Sequence, residues 1–372
     1  MSLLHRIQGL DASRRLDVIQ KYIPVLLIDK NNLMSGENDA IVVGHIHSNL
    51  VESIRNKLND MEDNKRVFYN NSFLLPSSAT SAANIDDDQL SSLTCRNRFF
   101  GLLVDGQSSA QNLVDARNII FERFTDLLLD CNIITKRHTD MYPVTDIENK
   151  MRVLSEVDRG EGEIIASVNR MAAPFLGVTS VGIHLLCYIC DSNNNNKSLW
   201  LAQRASNKSK YPLYWDPTVA GGQPVDINLF QNVIKEAGEE AGINPESVIQ
   251  NAISTGCLSQ MTCKPNGTCM KQSLYYTWDM QVDRETFVPK SVDGEVANFE
   301  LSTAEELENE VRYGNRLRPA MILVVTDFLM RHGIITPDNE PDFAKIQTAI
   351  HRERLVLEYV PQGKRNEDKL SC

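Results

Sequence analysis

At 372 residues, with 42% hydrophobic and 23% charged residues, the chain has an ordinary globular composition and is long enough for two hydrophobic cores. A net charge of −11 excludes a nucleic-acid backbone as an expected partner, because that surface selects a basic face. There is no apolar run of about 18 residues, and Met1-Ser2-Leu3-Leu4-His5-Arg6 lacks the basic-then-apolar order of a secretory signal, so no membrane partner is expected and the expected address is cytosolic.

Tyr22 to Ile28 and Ala40 to Ile46 have the β-branched, apolar character of strands, and Asn49 to Leu58 that of a helix. Residues 71–94, which include Ser77-Ser78 and Asp86-Asp87-Asp88, predict a loop or disordered insertion. Phe99 to Val104 predicts a strand. Ala110 to Asp130 repeats Leu113, Ala116, Ile119, Ile120, Phe124 and Leu127 at helical spacing. Residues 1–150 are therefore expected to form a small α/β accessory domain. It contains no acid cluster like that of the second half, so it is expected to shape substrate choice or assembly rather than the chemistry. Residues 151–176 suit a mostly helical bridge, and Asn193 to Asn196 a polar hairpin loop.

The second domain is expected over residues 151–358, with its core from about residue 178, and 359–372 as a charged, mobile tail. From Val181 the pattern runs strand, strand (Leu199 to Gln203), a loop with Gly221-Gly222, helix, strand (Ile249 to Leu258) and strand (Leu274 to Val282). Helices follow at Ala304 to Tyr313, at Pro319 to Met330 and from Asp342 to about Glu353. The eight Cys are irregularly spaced, which is no disulfide framework in a chain of this length. Cys187 and Cys190 would face opposite sides of one strand, and Cys257, Cys263 and Cys269 have no second pair, so free thiols are expected rather than a zinc site. His45 and His47 would share a strand face, but without carboxylate company they are taken as structural or surface residues.

The most informative stretch is Lys235-Glu236-Ala237-Gly238-Glu239-Glu240-Ala241-Gly242-Ile243. On a helix, Glu236, Glu239 and Glu240 fall at i, i+3 and i+4, on one face. Leu229, Phe230, Val233, Ile234, Ala237 and Ala241 lie mostly on the other side, a stripe that suits packing on a sheet. Like charges so placed repel, and they crowd the helix end where the dipole favours cations. A hard divalent cation wants such a set of carboxylate oxygens.

With Gly221 fourteen residues before Lys235, this stretch resembles the Nudix box, G-x5-E-x7-R-E-U-x-E-E-x-G-U, where U is bulky and apolar. Lys235 stands at the Arg position, Glu236, Glu239, Glu240, Gly242 and Ile243 match, Ala237 is small for its place, and Ile227 replaces the first Glu. In the family that Glu and the Arg orient the helix, so Ile227 with Lys235 is a joint loss of the pair. Further matches at Gly182-Ile183-His184, Tyr211-Pro212, Asp216, Val219-Ala220-Gly221-Gly222, Asp293-Gly294-Glu295-Val296, Phe299, Asp327 to Gly333 and His351-Arg352 resemble a narrower group. These are fungal and plant Nudix proteins with an N-terminal domain before the Nudix fold, some linked to thiamine pyrophosphokinase.

The resemblance implies an α/β/α sandwich with a mixed sheet, and Mg²⁺ (or Mn²⁺ in its place) held by Glu236, Glu239, Glu240 and the carbonyl of Ala220. It implies cleavage of a small-molecule diphosphate: thiamine diphosphate, or its oxidised or deaminated analogues, to the monophosphate and phosphate. Glu295 is the candidate further acid, and Gly221 and Gly222 form the loop beside the substrate. Arg204, Lys208 and Lys210 are candidates for the substrate phosphates. Tyr211 and Trp215 suit stacking on a heteroaromatic ring, although Trp215 suits a core equally well. Two alternatives stay open: a hydrolase of ADP-ribose or another nucleoside diphosphate derivative, and a non-catalytic binding module. The oligomeric state is not legible.

Overall fold

The computed structural model describes residues 2–10, 22–29, 40–70, 73–74, 100–104, 110–145, 164–191, 196–263 and 269–351. The expectations for most of 71–94, for 151–163, for 192–195 and for the charged tail lie outside the described residues.

A first helix, α1 (Leu3–Gly9), is capped by the Ser2 hydroxyl. Strands β1 (Tyr22–Asp29), β2 (Ala40–His47), β3 (Phe73–Leu74) and β4 (Phe100–Val104) form a sheet in the order β2-β1-β4-β3, in which β1 and β4 are parallel. β3 lies inside the stretch expected as a loop. Helices α2 (Ser48–Asn59), α3 (Asp63–Asn70) and α4 (Ala110–Asp130) accompany this sheet. α4 packs Ile120, Phe124 and Leu127 into a core with Phe73 and Phe100, the rings meeting edge to face, while Ile119 of the same expected stripe is 53% exposed. His47 serves the fold: its Nδ1 accepts the Asn49 N–H at the start of α2.

The described part of the expected helical bridge is extended. Strand β6 (Ile164–Asn169) runs antiparallel to β5 (Met141–Thr145), followed by a short 3-10 turn at Ala173–Phe175. Ile164, Ile165 and Val168 crowd β-branched side chains into six residues, which a pleated strand accommodates better than a helix. Ile165, Val168 and Phe175 join the N-terminal core, and so does Cys269 from the second half.

The second half holds β7 (Ser180–Cys190), β8 (Lys197–Arg204), β9 (Trp215–Pro217), β10 (Val219–Gly222), α5 (Leu229–Ala241), α6 (Pro245–Asn251), β11 (Ala252–Cys263), β12 (Met270–Gln281), β13 (Val296–Thr303), α7 (Ala304–Tyr313), α8 (Pro319–Arg331) and α9 (Phe343–Ile350). The sheet order is β11-β12-β7-β8-β13, with β10 on β7 and β9 on β8; β12 and β7 are parallel. Residues 249–251, expected as the start of a strand, end α6 instead, because Asn244 caps a helix that Pro245 opens at its first position. β7 is apolar on both faces. Ile183, Leu185 and Cys187 pack towards α5, while Leu186 packs in the layer of α7, α8 and α9. This is an α/β/α sandwich with a mixed sheet.

That second helical layer also receives the start of the chain. Leu3 and Ile7 are each 1% exposed within it, and Arg6 donates to the backbone carbonyls of Glu310 and Gly314. On the same side, Arg331 pairs with Asp279 and Asp327, His332 Nε2 lies 2.7 Å from Asp279, and His351 Nε2 lies 2.9 Å from Asp327. This network ties α8, β12 and the end of α9 together, which gives the Asp327 to Gly333 motif a structural role. Cys187, Cys190, Cys257 and Cys269 are free thiols. No helix among the described residues is long and apolar enough to cross a membrane.

Candidate active site

The box helix α5 starts on a capping box, in which Asn228 and Gln231 satisfy each other's backbone N–H, and stops at Gly242, whose φ of 64° is left-handed. Its apolar stripe, Leu229, Val233, Ala237 and Ala241, is buried against the sheet. That registry turns Glu236 and Glu240 towards the loop of β10. Glu240 is 8% exposed, and its Oε2 accepts the Ala220 N–H at 2.9 Å. Glu236 lies directly over Gly221: a Cβ there would fall 2.4 Å from Glu236 Cγ, closer than any side chain tolerates. Gly221→Ala is therefore expected to push Glu236 out of place. The measurement is metal-dependent activity beside the melting temperature, and the expected pattern is a loss of activity far larger than the loss of stability.

The loop and helix are held without the family's Glu–Arg pair. Gln223 Nε2 donates to the Ile227 carbonyl, and Asn232 Nδ2 donates to the Gly222 carbonyl at 3.0 Å. Lys235, which has no Glu at position 227 to meet, turns to the acids beside it: its Nζ lies 2.6 Å from Glu239 Oε2 and 3.3 Å from Glu236 Oε1.

Burial pushes the Glu240 carboxyl up to about 8; the Ala220 N–H opposes this, while Glu236, Asp216 and Glu295 add to it. Glu236 is raised as well, first by burial, with Lys235 opposing. Among the described residues no three His, Cys, Asp or Glu side chains already converge on one metal-sized point. The donor set nevertheless fits a divalent cation. A buried carboxylate, Glu240, and a part-buried one, Glu236, repel each other beside a glycine that leaves room for Glu236, and a cation would settle their charge. Glu236 and Glu240 would hold it, with Glu239 once freed from Lys235, and the Ala220 carbonyl remains a candidate.

Glu295 follows Gly294, whose φ is 78°, and lines the same cleft as Ala220, Glu240, Asp216, Arg204 and Lys208. Its carboxylate is ion-paired with Lys208. Arg204 is already occupied: it pairs with Asp216 at 2.8 Å and donates to the Tyr211 and Lys210 carbonyls. Lys210 is exposed, and so is Tyr211, whose φ is 51° and whose ring meets Tyr214 edge-on at 5.5 Å. Trp215 is a correction. It is 6% exposed, packs in the core, and carries the Arg316 guanidinium over its ring at 4.9 Å. Since β9 turns Asp216 into the cleft, its strand neighbour Trp215 must face the other way. Gly222 is exposed at the strand end, where a Cβ would meet the Tyr142 hydroxyl at 3.7 Å.

Sequence reasoning gave no role to Asp216, Arg318 or His184 beyond the motif matches. Asp216, 4% exposed, is kept ionised by two arginines: Arg318 Nε lies 2.5 Å from one oxygen and Arg204 holds the other. Burial alone would raise it, but the two guanidiniums leave it below the usual carboxylate range. His184, on β7 opposite Ala220, is 2% exposed and edge-on to Tyr275; burial pushes its pKa down to about 3, so it is neutral.

No family model matches the chain. Over 213 residues, 57% of the chain and 52% of the relative, it is 32% identical to Nudix hydrolase 20, chloroplastic, of Arabidopsis thaliana. Over 194 residues, 50% of the chain and 56% of the relative, it is 32% identical to an uncharacterised protein of Saccharomyces cerevisiae. The chain spans about half the length of these curated relatives. Among solved structures it is similar to DR0079 from Deinococcus radiodurans, at 13% identity and a TM-score of 0.36, over 50% of this chain and 98% of that one. The box spacing from Gly221 to Ile243 and its strand–loop–helix setting make the chain similar to the Nudix hydrolases, one of which it matches at 32% identity over about half of that protein's length.

Proposed function

We propose that the chain is a Mg²⁺-dependent pyrophosphohydrolase that adds water across the phosphoanhydride of a small-molecule diphosphate, releasing a monophosphate and phosphate. The observation that carries this reading is the seating of Glu236 and Glu240 against Ala220 and Gly221, with Glu295 and Lys208 on the facing wall. When bound, a divalent cation supplies charge neutralisation on the phosphate and lowers the pKa of a coordinated water. The chain's own part is to hold Glu240 out of solvent with Glu236 beside it, to present Glu295 as a further acid, and to offer Lys208 to a phosphate that displaces it from Glu295. A non-catalytic binding module has no need of a buried, repulsive carboxylate set.

For the substrate we propose thiamine diphosphate or, in preference, its oxidised or deaminated analogues. The joint match at Tyr211-Pro212, Ala220-Gly221-Gly222, Asp293 to Val296 and Asp327-Phe328 supports this, and the exposed Tyr211 and Tyr214 rings offer a heteroaromatic ring a surface next to the site. The test is kcat/KM with Mg²⁺ present and with chelator, over oxothiamine, oxythiamine and thiamine diphosphates, ADP-ribose and a dinucleotide. The analogues should rank first, thiamine diphosphate next and ADP-ribose below both, because polar groups left unpaired against the wrong ring discriminate strongly. ADP-ribose or the dinucleotide in first place would overturn the substrate. No metal-dependent phosphate release from any of them would overturn the enzyme.

A further inference from the structure

A helix leaves its last carbonyls without partners of its own. At the end of α5 the backbone N–H groups of Gly242 and Ile243 take the Gly238 and Ala237 carbonyls, at 3.2 and 3.0 Å. The Glu239 and Ala241 carbonyls are met from a loop some fifty residues on: the Asp293 N–H donates to the first at 3.2 Å, and the Lys290 N–H to the second at 2.9 Å. Val292 closes over the same end, its Cγ2 lying 3.3 Å from the point where a Cβ on Gly242 would sit. Residues 290–293 thus complete the C-terminal cap of the helix that carries Glu236, Glu239 and Glu240.

The same loop then turns to Glu295. Asp293 Oδ1 accepts the Glu295 N–H at 2.8 Å, in an Asx turn that Gly294 passes through with a φ of 78°. The Glu295 carbonyl accepts the Ala205 N–H at 2.9 Å, and the Ser291 hydroxyl donates to the Val296 carbonyl at 2.6 Å across the base of the turn. Asp293 therefore joins two elements of the site. Its backbone holds the Glu239 peptide, and its side chain holds the Glu295 peptide. Asp293 is itself exposed, so its carboxylate contributes little to stability, yet it fixes the direction of the acid two residues on.

We propose that Asp293 is a positioning residue, which fixes Glu295 against the box helix so that the acid on one wall of the cleft keeps its place relative to Glu240 on the other. This rests on the hydrolase reading above, in which Glu295 is the further acid. A misplacement of about 1 Å at such a group lowers turnover by up to about 10²-fold. Because the substrate is bound by other contacts, the loss falls on kcat rather than on KM.

The test compares Asp293→Ala, which removes the acceptor, with Asp293→Asn, which keeps an oxygen in its place without the charge. Both are made in the full chain and assayed in saturating Mg²⁺ with whichever diphosphate of the panel above has the highest kcat/KM. Asp293→Ala should lower kcat about tenfold, with KM changed far less and the melting temperature close to wild type. Asp293→Asn should restore kcat, since Asn forms the same turn. In a Glu295→Gln background Asp293→Ala should cost nothing further, because a positioning residue acts only through the group it positions. Amide hydrogen exchange gives a readout that needs no substrate. The Glu295 N–H should exchange about tenfold faster in Asp293→Ala and at the wild-type rate in Asp293→Asn. Wild-type kcat in Asp293→Ala overturns the proposal. So does a loss in Asp293→Asn equal to that in Asp293→Ala, which would make the charge and not the bond the agent, and so do losses that multiply in the double variant. If the wild type hydrolyses none of the diphosphates, the hydrolase reading falls and the exchange rates decide the positioning alone. It stands if Asp293→Ala frees the Glu295 amide and Asp293→Asn holds it, and it falls if the amide exchanges at the wild-type rate in both.

Discussion

Glu240→Gln is expected to lower metal-dependent kcat/KM by about 10²–10³-fold, the several kcal/mol that a correctly held cation contributes to phosphoryl chemistry, without unfolding the protein. The amide keeps the shape of the carboxylate and can still accept the Ala220 N–H. What it removes is a buried negative charge that the metal-free fold tolerates badly. The sign of the pH effect follows from the raised pKa of about 8. Glu240's contribution to stability is full below its ordinary value of 4.5 and is lost as pH rises through about 8, because the unfolded chain releases the proton first. Metal-free wild type should therefore lose melting temperature across that window, and Glu240→Gln should lose less. Mg²⁺ binds the ionised form, so its stabilising shift should grow from pH 6 to pH 8.5 in the wild type and be much reduced in the variant. Thermal melts over pH, with metal and with chelator, read all of this. A variant that turns over at near wild-type rate in saturating Mg²⁺ would refute the metal site.

The parts of the fold that periodicity governs were legible. Ala110–Asp130 and Ala304–Tyr313 fall where the apolar spacing puts them, and the box helix follows from its stripe and from Gly242. The errors are ones of competing local signals. Asn244-Pro245-Glu246 starts a helix in a run whose apolar residues suggested a strand, and Ile164 to Asn169 is too short for its period to separate strand from helix. β13 escaped notice because it is an edge strand whose alternation is short, with Phe299 and Leu301 only partly buried between Asn298, Glu300 and Ser302. In the candidate site, Glu236, Glu240 and Glu295 could be singled out because one motif and one turn carry them. Arg318 and Tyr142 could not be, since each is an ordinary residue until the fold brings it beside Asp216 and Gly222 respectively. Ile227 illustrates a middle case: the lost Glu–Arg pair was visible, but its replacement by Gln223 and Asn232 holding the loop required coordinates.

Removing residues 1–10 is expected to destabilise the chain strongly while leaving its chemistry intact. Leu3 and Ile7, each 1% exposed, are packed among α7, α8 and α9, and fully burying two such side chains contributes about 3–6 kcal/mol. Arg6 adds hydrogen bonds to the ends of the Glu310 and Gly314 backbone, and Gln260 Nε2 donates to the Leu10 carbonyl at 3.2 Å, so the segment is fixed at several points. For a domain of this size that loss corresponds to about 10–20 °C in melting temperature. Ile7→Ala should reproduce about 2–4 kcal/mol of it alone. A truncation beginning near Ser155 removes this helix along with the first strands, so loss of the fold there would say nothing about catalytic groups in the N-terminal half. The ten-residue deletion separates the two effects. Its helix lies on the layer opposite α5, so below its melting transition the metal-dependent kcat should stay within a few-fold of wild type. A deletion that melts with the full-length protein would show that α1 does not dock on this layer. One that melts early and also loses kcat at low temperature would show that the helical layer it joins positions Glu240 from across the sheet.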